Sequence, residues 1–414
     1  MKDVVYICTV GTGTAGRDSL VASGIAHAIR QRRPRWYYLL PSSSPDSVGV
    51  AELVAEDVRD LPSQRGSLEP RHCGRLSGWD DLLACRRDVA AFIEAIRKQH
   101  PEAEIIINPT SGTKQMTTGA VLAALDAGIG RIDYVTGPRR DGVVMTGREC
   151  LTEISGRSVL AGITGRNGVM LMKSGAFHPA ELILADYADL LPTCHALAAT
   201  LARWDRFDYH GALQVAANRE APSWSRVRTA LDKLARAGAR SLEHGADMFC
   251  FAERCLRHAR VEEALASLYR LVELLAKRRL EELGECPDDL KLNSALANPS
   301  LDVSGTVKTK LRAMAAHDRG IALGLKLSLE LLKATDSPLV SMLYEDAVSW
   351  KTLQLRNDTR YGHGREFVDR KLVEALARRV RAAAAQQWPD FPRLIAAFRF
   401  PDVETMTEEE IHRA

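Results

Sequence analysis

The sequence lacks the long apolar runs and the strong charge bias that mark membrane and bulk nucleic-acid-binding proteins. No apolar stretch approaches the roughly 20 residues that a membrane-spanning helix needs. The first apolar run, residues 4–10, is short and precedes a glycine-rich turn, which predicts a β-strand rather than a signal peptide. The formal net charge is only +3, so any contact with nucleic acid must come from a local basic patch.

The cysteines form no C-x-x-C pair, which argues against a zinc knuckle or a redox dithiol. Several stand in apolar runs, where a buried free thiol is expected. This cysteine usage suits a reducing compartment, and we expect the protein to be cytoplasmic, with no membrane association. The eight cysteines are Cys8, Cys73, Cys85, Cys150, Cys194, Cys250, Cys255 and Cys286.

The first half of the chain alternates strands and helices, which favours a Rossmann-like, mostly parallel sheet. The apolar run at residues 4–10 is typical of a strand that is buried on both faces. Strands are predicted over residues 4–10, 36–40, 104–108, 131–136 and 142–146, and helices over residues 19–32, 50–58, 82–99 and 116–127.

From about residue 179 onward, helical segments follow one another. We interpret residues 154–175, which contain several glycines and serines, as a transition that holds a short hairpin. The sequence therefore predicts an α/β domain over residues 1–170 and an all-α domain over residues 171–414. Helices are predicted over residues 180–191, 194–203, 225–237, 261–283, 321–333 and 370–387.

A glycine-rich loop, residues 11–16, directly follows the first strand and satisfies G-x-G-x-x-G. In that context, backbone N–H groups and the start of the next helix can bind phosphate. Taken literally, the motif indicates a dinucleotide. An NAD- or flavin-dependent oxidoreductase is nevertheless disfavoured, because residues 40–44 at the end of the second strand contain no acid to hold the ribose hydroxyls.

A second loop, residues 108–116 with the sequence NPTSGTKQM, follows the strand over residues 104–108. Ligands of open α/β sheets bind at this edge, and hydroxyls, a glycine and a lysine at a helix start suit phosphates and ribose. Ser111 or Thr113 could instead simply cap the following helix. A cap needs only one hydroxyl, however, and this loop also has Thr110 and stands beside Lys114.

The segment 355–365 combines an arginine and an asparagine with a histidine that stands between two glycines. Arg356 and His363 are seven residues apart, so a helix would place them on one face. Cleavage of RNA needs a base for the 2′-hydroxyl, an acid for the leaving oxygen and a cation for the phosphate. Histidine can serve as base or acid, and arginine offers a planar fork to phosphate. The same pair is also common on solvated helix surfaces, and Gly362 and Gly364 are expected to loosen the helix around His363.

Together these motifs resemble the CARF–HEPN ribonucleases of type III CRISPR systems. NPTSGTKQMTTGAVLAA, with VGTG after the first strand, resembles the CARF domain, and R-N-x(5)-H-G resembles the R-x(4–6)-H motif of HEPN nucleases. The resemblance implies that Arg356 binds the scissile phosphate, Asn357 orients Arg356 or the backbone, and His363 acts at the ribose or the leaving group. Asp358 and Arg360 make this interval more charged than the family pattern. Asp358 could pair with Arg360 or tune His363.

The resemblance further implies an HEPN-like C-terminal domain and a homodimer whose two CARF domains share one ring-shaped cyclic oligoadenylate. The enzyme would cut single-stranded RNA without a cofactor or metal, leaving a 2′,3′-cyclic phosphate, and no stable association with the CRISPR effector complex is expected. The alternative is a non-catalytic CARF sensor that recruits a partner through a helical dimerisation module. The expected ligand-binding residues are Gly11, Thr12, Gly13, Thr14, Ser42, Ser43, Thr110, Ser111, Gly112, Thr113, Lys114 and Gln115.

No metal site is predicted elsewhere. Four single histidines among the helices have no second ligand at i+3 or i+4, and His317 and Asp318 have no ligand-spaced partner. An aromatic cluster over residues 204–210 either packs helices together or lines the nuclease groove. The four histidines are His195, His210, His244 and His258.

Overall fold

The computed structural model describes residues 3–12, 18–66, 75–76, 78–140, 143–315 and 321–413. The chain forms two compact units, Met1–Thr164 and Gly165–Arg413. All strands of the described residues lie in the first unit, whereas the second is built from helices over its described ranges. This confirms the predicted fold class, an α/β region followed by an all-α region.

The strands of the first unit are β1 (Val4–Val10), β2 (Trp36–Pro41), β3 (Gln64–Arg65), β4 (Glu104–Asn108), β5 (Arg131–Thr136), β6 (Arg139–Arg140), β7 (Val143–Val144) and β8 (Cys150–Ser155). Six of them form one sheet in the order β3-β2-β1-β4-β5-β8, and β6 pairs with β7. Neighbours in the sheet are parallel except β5 and β8. The strand order reverses between β1 and β4, which is the point where open α/β sheets bind ligands.

Helices cover both faces of this sheet. Tyr6 and Cys8 of β1 belong to a core cluster with one pair of helices, and Val5 and Ile7 belong to a second cluster with the other pair. Successive side chains of a strand point to opposite faces, so the uninterrupted apolar run of β1 is buried on both sides, as predicted. The first pair is α1 (Asp18–Arg32) and α2 (Pro45–Asp57), and the second is α3 (Leu82–Gln99) and α4 (Lys114–Asp126).

The short hairpin predicted within the transition over residues 154–175 is wrong, whereas the boundary between the two compact units, from Thr164 to Gly165, does lie in this stretch. The segment is instead the end of β8 followed by helix α5 (Gly156–Lys173). Its buried positions recur with helical spacing, at Ala161, Gly165, Gly168 and Met172. Gly165 and Gly168 lie on the buried face of α5, where a small residue lets neighbouring side chains approach. They therefore do not mark a turn, which is what the sequence pattern suggested.

The second unit is a succession of helices in which α10 and α11 pack along each other. The predicted helix over residues 370–387 has those bounds in the structure, whereas the helix predicted from residue 321 starts only after Gly324. None of the helices in the described ranges is long and apolar enough to span a bilayer. The helices are α6 (Phe177–Ala185), α7 (Pro192–Trp204), α8 (Tyr209–Ala217), α9 (Ser223–Arg236), α10 (Leu242–Arg257), α11 (Val261–Glu282), α12 (Leu292–Ala297), α13 (Gly305–Ala315), α14 (Leu325–Leu331), α15 (Ala347–Gln354), α16 (Arg370–Gln387), α17 (Phe391–Phe398) and α18 (Val403–Arg413).

Candidate functional site

The loops after β1 and β4 meet at the carboxyl-terminal edge of the sheet. Because β1 and β4 are parallel neighbours, their ends deliver both loops side by side. Gly11 lies so close to Gly112 that a Cβ on Gly11 would overlap the Gly112 backbone. Gly112 has a φ of 125°, which residues with side chains rarely adopt. Glycine at both positions therefore allows the loops to touch.

Hydrogen bonds among its own polar groups fix the loop after β4. Asn108 Oδ1 accepts from the Thr110 N–H at 3.0 Å and also from the Thr110 hydroxyl. Thr110 Oγ1 accepts from the Val135 N–H at 2.8 Å, and Ser111 Oγ accepts from the Gly11 N–H at 3.0 Å. Hydroxyls that the sequence assigned to ligand contact therefore first hold the shape of this edge.

The start of α4 presents free polar groups beside the loops. Thr113 caps the helix, since its Oγ1 accepts from the Met116 N–H at 3.2 Å. Lys114 and Gln115 are exposed, and their side chains have no hydrogen bond or ion pair within the part of the chain that the structure describes. A lysine at the positive end of a helix is unfavourable by itself, so an anion bound there would be stabilised by both charges.

A pocket of about 220 Å³ opens beside the two loops. This volume is below the roughly 300–1,000 Å³ of pockets that enclose a whole drug-sized ligand, so it suits one part of a larger molecule. Its polar side comes from Thr12, Thr110, Ser111 and Gly112, and its other residues are Leu20, Val21, Gly24, Ile25, Val135, Arg139 and Val144. No sequence signal pointed to Arg139, because its position against the pocket follows from the hairpin of β6 and β7.

The remaining sequence-predicted ligand residues have different surroundings. Ser42 is buried, and its hydroxyl donates to Ser47 Oγ at 2.9 Å, while Ser43 is exposed. Both follow β2, whose last residue pairs with Val10 at the same sheet edge. Gly13 and Thr14 lie outside the described residues.

Arg356 and His363 do not share one continuous helix, contrary to the expectation from their spacing. α15 ends at Gln354, Arg356 lies in a 3₁₀ turn, Leu355–Asp358, and His363 lies in the loop that follows. The expectation that Gly362 and Gly364 loosen a helix around His363 is not met, because α15 ends at Gln354 and the 3₁₀ turn ends at Asp358, before either glycine.

This loop folds back on the 3₁₀ turn. The His363 N–H donates to the Asn357 carbonyl at 2.8 Å. A Cβ on Gly362 would overlap the Asn357 backbone, and one on Gly364 would overlap the Asp358 backbone. The two glycines therefore permit a close return of the chain, which brings the backbone of His363 beside that of Asn357. The side chains of Asn357 and His363 are exposed.

The Arg356 side chain is oriented by two neighbours and keeps free donors. Its guanidinium centre lies 5.3 Å from the ring centroid of Tyr269 on α11, and Nη1 donates to Asn357 Oδ1 at 3.3 Å. Arg356 Nε is buried and has no hydrogen-bond partner among the described residues. Burial raises the pKa of the Tyr269 hydroxyl, which therefore stays neutral. No sequence signal pointed to Tyr269, because its contact with Arg356 is made only by the tertiary fold.

Arg360 ties the same loop to α11. Its Nε lies 2.8 Å from a carboxylate oxygen of Glu262, and its Nη2 lies 3.7 Å from Glu263. Within the described ranges Asp358 forms no ion pair with Arg360, and the Asp358 side chain is exposed. The ion pair between Asp358 and Arg360, one of the two alternatives for Asp358, is therefore absent among the described residues.

The aromatic cluster over residues 204–210 centres on a buried acid. Trp204 is buried, and Trp204 Nε1 and Tyr209 Oη both donate to Asp247 at 2.9 Å. Burial raises the pKa of Asp247 to about 6. These contacts favour helix packing over a role in a nuclease groove. In the described residues, no group of three or more His, Cys, Asp or Glu side chains is placed to hold a metal ion.

Comparison with known proteins gives a family match for the segment that holds Arg356 and His363 and a fold match for the whole chain. Residues 243–387 match the family model of the Csm6 HEPN domain, and this range includes Arg356, Asn357 and His363. The chain has the fold of Csm6 from Enterococcus italicus, solved bound to cyclic hexa-2′-fluoro-hexa-dAMP, with a TM-score of 0.62 and 13% identity over 99% of this chain and 100% of that one. Among curated protein sequences, none matches significantly. The resemblance to the CARF–HEPN family is confirmed.

Proposed function

We propose that this chain, a CARF–HEPN protein by its family match and its fold, is a ribonuclease of type III CRISPR defence that a cyclic oligoadenylate activates. The observation that carries the proposal is the return of the loop at Gly362 and Gly364. It brings His363 back to the 3₁₀ turn of Arg356 and Asn357, inside the segment that matches the HEPN model.

The chemistry follows from the surroundings of these side chains. The guanidinium of Arg356 is held by Tyr269 and Asn357, and its Nη2, which has no hydrogen-bond partner among the described residues, is the donor for the oxygens of the scissile phosphate. The exposed imidazole of His363 acts as base toward the ribose 2′-hydroxyl or as acid toward the leaving 5′-oxygen. Attack of the 2′-oxygen on phosphorus forms the 2′,3′-cyclic phosphate while the bond to the 5′-oxygen breaks. That oxygen leaves as a hydroxyl once it is protonated.

One chain supplies a single Arg356 and a single His363, which is only part of the base, acid and cation that cleavage needs. We therefore propose that the active enzyme is a homodimer in which a two-fold axis brings both pairs together. The measurement is to mix wild-type and His363→Ala chains and to follow activity against the mutant fraction. A fall steeper than the loss of wild-type chains supports a shared site, whereas a strictly proportional fall means that each chain works alone.

The sensor role rests on the sheet edge. Lys114 and Gln115 have side chains free for phosphate or ribose, Thr12 lines the pocket beside them, and Gly112 brings the backbone of the second loop close to Gly11. A ring-shaped oligoadenylate presents several phosphates and bases, so a pocket for one part of the ligand beside an exposed lysine fits it. The ligand can activate cleavage only to the extent that it binds the cleavage-competent conformation more tightly than the inactive one.

The deciding experiment is cleavage of a fluorescent single-stranded RNA in EDTA with a panel of cyclic oligoadenylates of different ring size. We expect one ring size to stimulate cleavage, with products that carry a 2′,3′-cyclic phosphate and a 5′-hydroxyl. If EDTA abolishes stimulated cleavage, the metal-independent mechanism is wrong. If no ring elicits cleavage although one of them binds, the chain is a non-catalytic sensor.

A further inference from the structure

Several arginines line an open groove of the helical unit, and Arg356 is not one of them. The groove has a volume of about 470 Å³ and lies between α10 and α16. Five arginines line it against only two glutamates, and its apolar floor includes Phe249, Leu256 and Ala377. This local excess of positive charge contrasts with the near-neutral whole chain, whose formal net charge is +3.

The helix periodicity builds one wall of the groove. Arg370, Glu374, Arg378 and Arg381 stand on α16 at spacings of four, four and three residues, which places them on one face. α10 contributes Arg257 to the opposite wall. The groove is therefore a lengthwise stripe, and from Arg370 to Arg381 it extends about 16 Å at 1.5 Å per residue.

Three of the five arginines have no counter-charge among the described residues. Arg370 pairs with Glu374 at 2.7 Å, and Arg399 pairs with Glu253 at 3.2 Å. Arg257, Arg378 and Arg381 are exposed, and within the described part of the chain they make neither hydrogen bonds nor ion pairs. Like charges that face one groove repel one another, so an anionic chain laid between them is stabilised by all three.

A neighbouring cavity of about 420 Å³ shares Glu253, Arg257 and Arg399 with the groove. Arg254 lines this cavity with a side chain that is only 6% exposed. Its Nε donates to Asp205 at 3.0 Å, while Nη1 and Nη2 are buried without a hydrogen-bond partner in the described residues. Buried donors of a cation that lack an acceptor favour an anion at this end as well.

Both walls of the groove are close in sequence to elements that hold the candidate catalytic loop, residues 355–365. Arg370, the first residue of α16, follows His363 by one short loop. On the other wall, Arg257 ends α10 just before α11, whose first turn holds Arg360 of the catalytic loop through Glu262. Both walls are thus connected to elements that position Arg356 and His363.

We infer that this groove binds the phosphate backbone of the single-stranded RNA that flanks the cleavage site, which rests on the proposed ribonuclease function. The arginines contact phosphates and not base edges, so they hold RNA of any sequence. RNA held there enters the catalytic loop from the side of Arg370.

The test is RNA binding by full-length protein that carries His363→Ala, so that the RNA stays intact. We add Arg378→Glu with Arg381→Glu and measure the anisotropy of a labelled single-stranded RNA as salt is raised. Affinity should fall at least about tenfold, as expected for lost charged contacts, and the salt slope should fall by about 0.7 for each lost phosphate contact. The matched control is Lys371→Glu with Arg393→Glu, two exposed cations outside the groove that should change affinity far less.

Unchanged affinity and unchanged salt slope in a folded groove variant would overturn the inference. A groove variant that is monomeric where the control is dimeric would also overturn it, since the groove would then be an interface between copies. Failure of the proposed function has a different signature, because RNA that binds wild-type protein but is never cut with any cyclic oligoadenylate refutes the ribonuclease and leaves the groove result standing.

Discussion

At the sheet edge of the first unit, Thr110 and Ser111 use their hydroxyls to bind neighbouring loop atoms, whereas in the helical unit the His363 side chain is exposed and has no hydrogen-bond partner among the described residues. The sheet edge is organised before any ligand arrives. The loop that carries His363 organises its backbone and leaves the side chain of this candidate catalytic residue free of hydrogen bonds among the described residues. Substitutions of these two hydroxyls should therefore affect folding and binding together, whereas substitution of His363 should affect only cleavage.

The largest effect is expected from His363→Ala. General acid–base catalysis contributes about 10²- to 10⁴-fold, so ligand-stimulated cleavage should fall by that factor while ligand affinity and melting temperature stay the same. Cleavage assays, calorimetry with the cyclic oligoadenylate and thermal unfolding check this. His210→Ala is the control, because His210 is exposed and lies outside the segment 355–365. Full activity of His363→Ala would remove this histidine from the chemistry.

A somewhat smaller effect is expected from Gly364→Ala. The added Cβ would overlap the Asp358 backbone, so the return of the loop must shift and His363 moves away from Asn357. A displacement of about 1 Å costs roughly 10²-fold in rate. Gly238→Ala is the matched control, because a Cβ there meets no atom within 4 Å. If both variants cut RNA equally well, the close return of the loop is not needed for catalysis.

Lys114→Glu tests the sheet edge at a side chain that makes no hydrogen bond or ion pair within the described part of the chain. Loss of a charged phosphate contact costs about 1.5–3 kcal/mol, which is roughly 10- to 150-fold in Kd. Basal cleavage and the melting temperature should stay unchanged, since Lys114 is exposed. Calorimetry with the activating cyclic oligoadenylate measures this Kd. The control is Lys98→Glu, at an exposed position near the end of α3. Equal affinity of the two variants would place Lys114 outside the site.

The smallest effect is expected from Thr110→Val, which should lower the free energy of unfolding. The variant loses the acceptor for the Val135 N–H and the hydroxyl that Asn108 holds. An unsatisfied buried donor costs about 1–3 kcal/mol of unfolding free energy, which denaturant titration resolves. Ser43→Ala, at an exposed hydroxyl, should cost much less. Equal stability of the two variants would mean that the edge is not pre-organised by Thr110.

The α/β region was predictable because each of its signals is local. Continuous apolar runs marked the buried strands, and a helix was predicted over the range that α3 occupies. Glycine-containing segments were predicted less well, since glycine serves turns and close packing alike. In α5 the glycines occupy a buried helical stripe, and around His363 they permit a close return of the chain. Composition cannot separate these uses, because they differ only in what lies next to the glycine.

The sequence by itself indicated the alternation of strands and helices in the first half, the two loops at the sheet edge and the candidate residues Arg356, Asn357 and His363, because these depend on local spacing and chemical type. Only the tertiary structure decided what surrounds them. Tyr269 reaches Arg356 from another helix, Glu262 holds Arg360 where Asp358 had been considered, and Ser111 accepts from Gly11 across two strands. Such contacts join residues far apart in the chain, and they form only when buried apolar faces bring whole elements together.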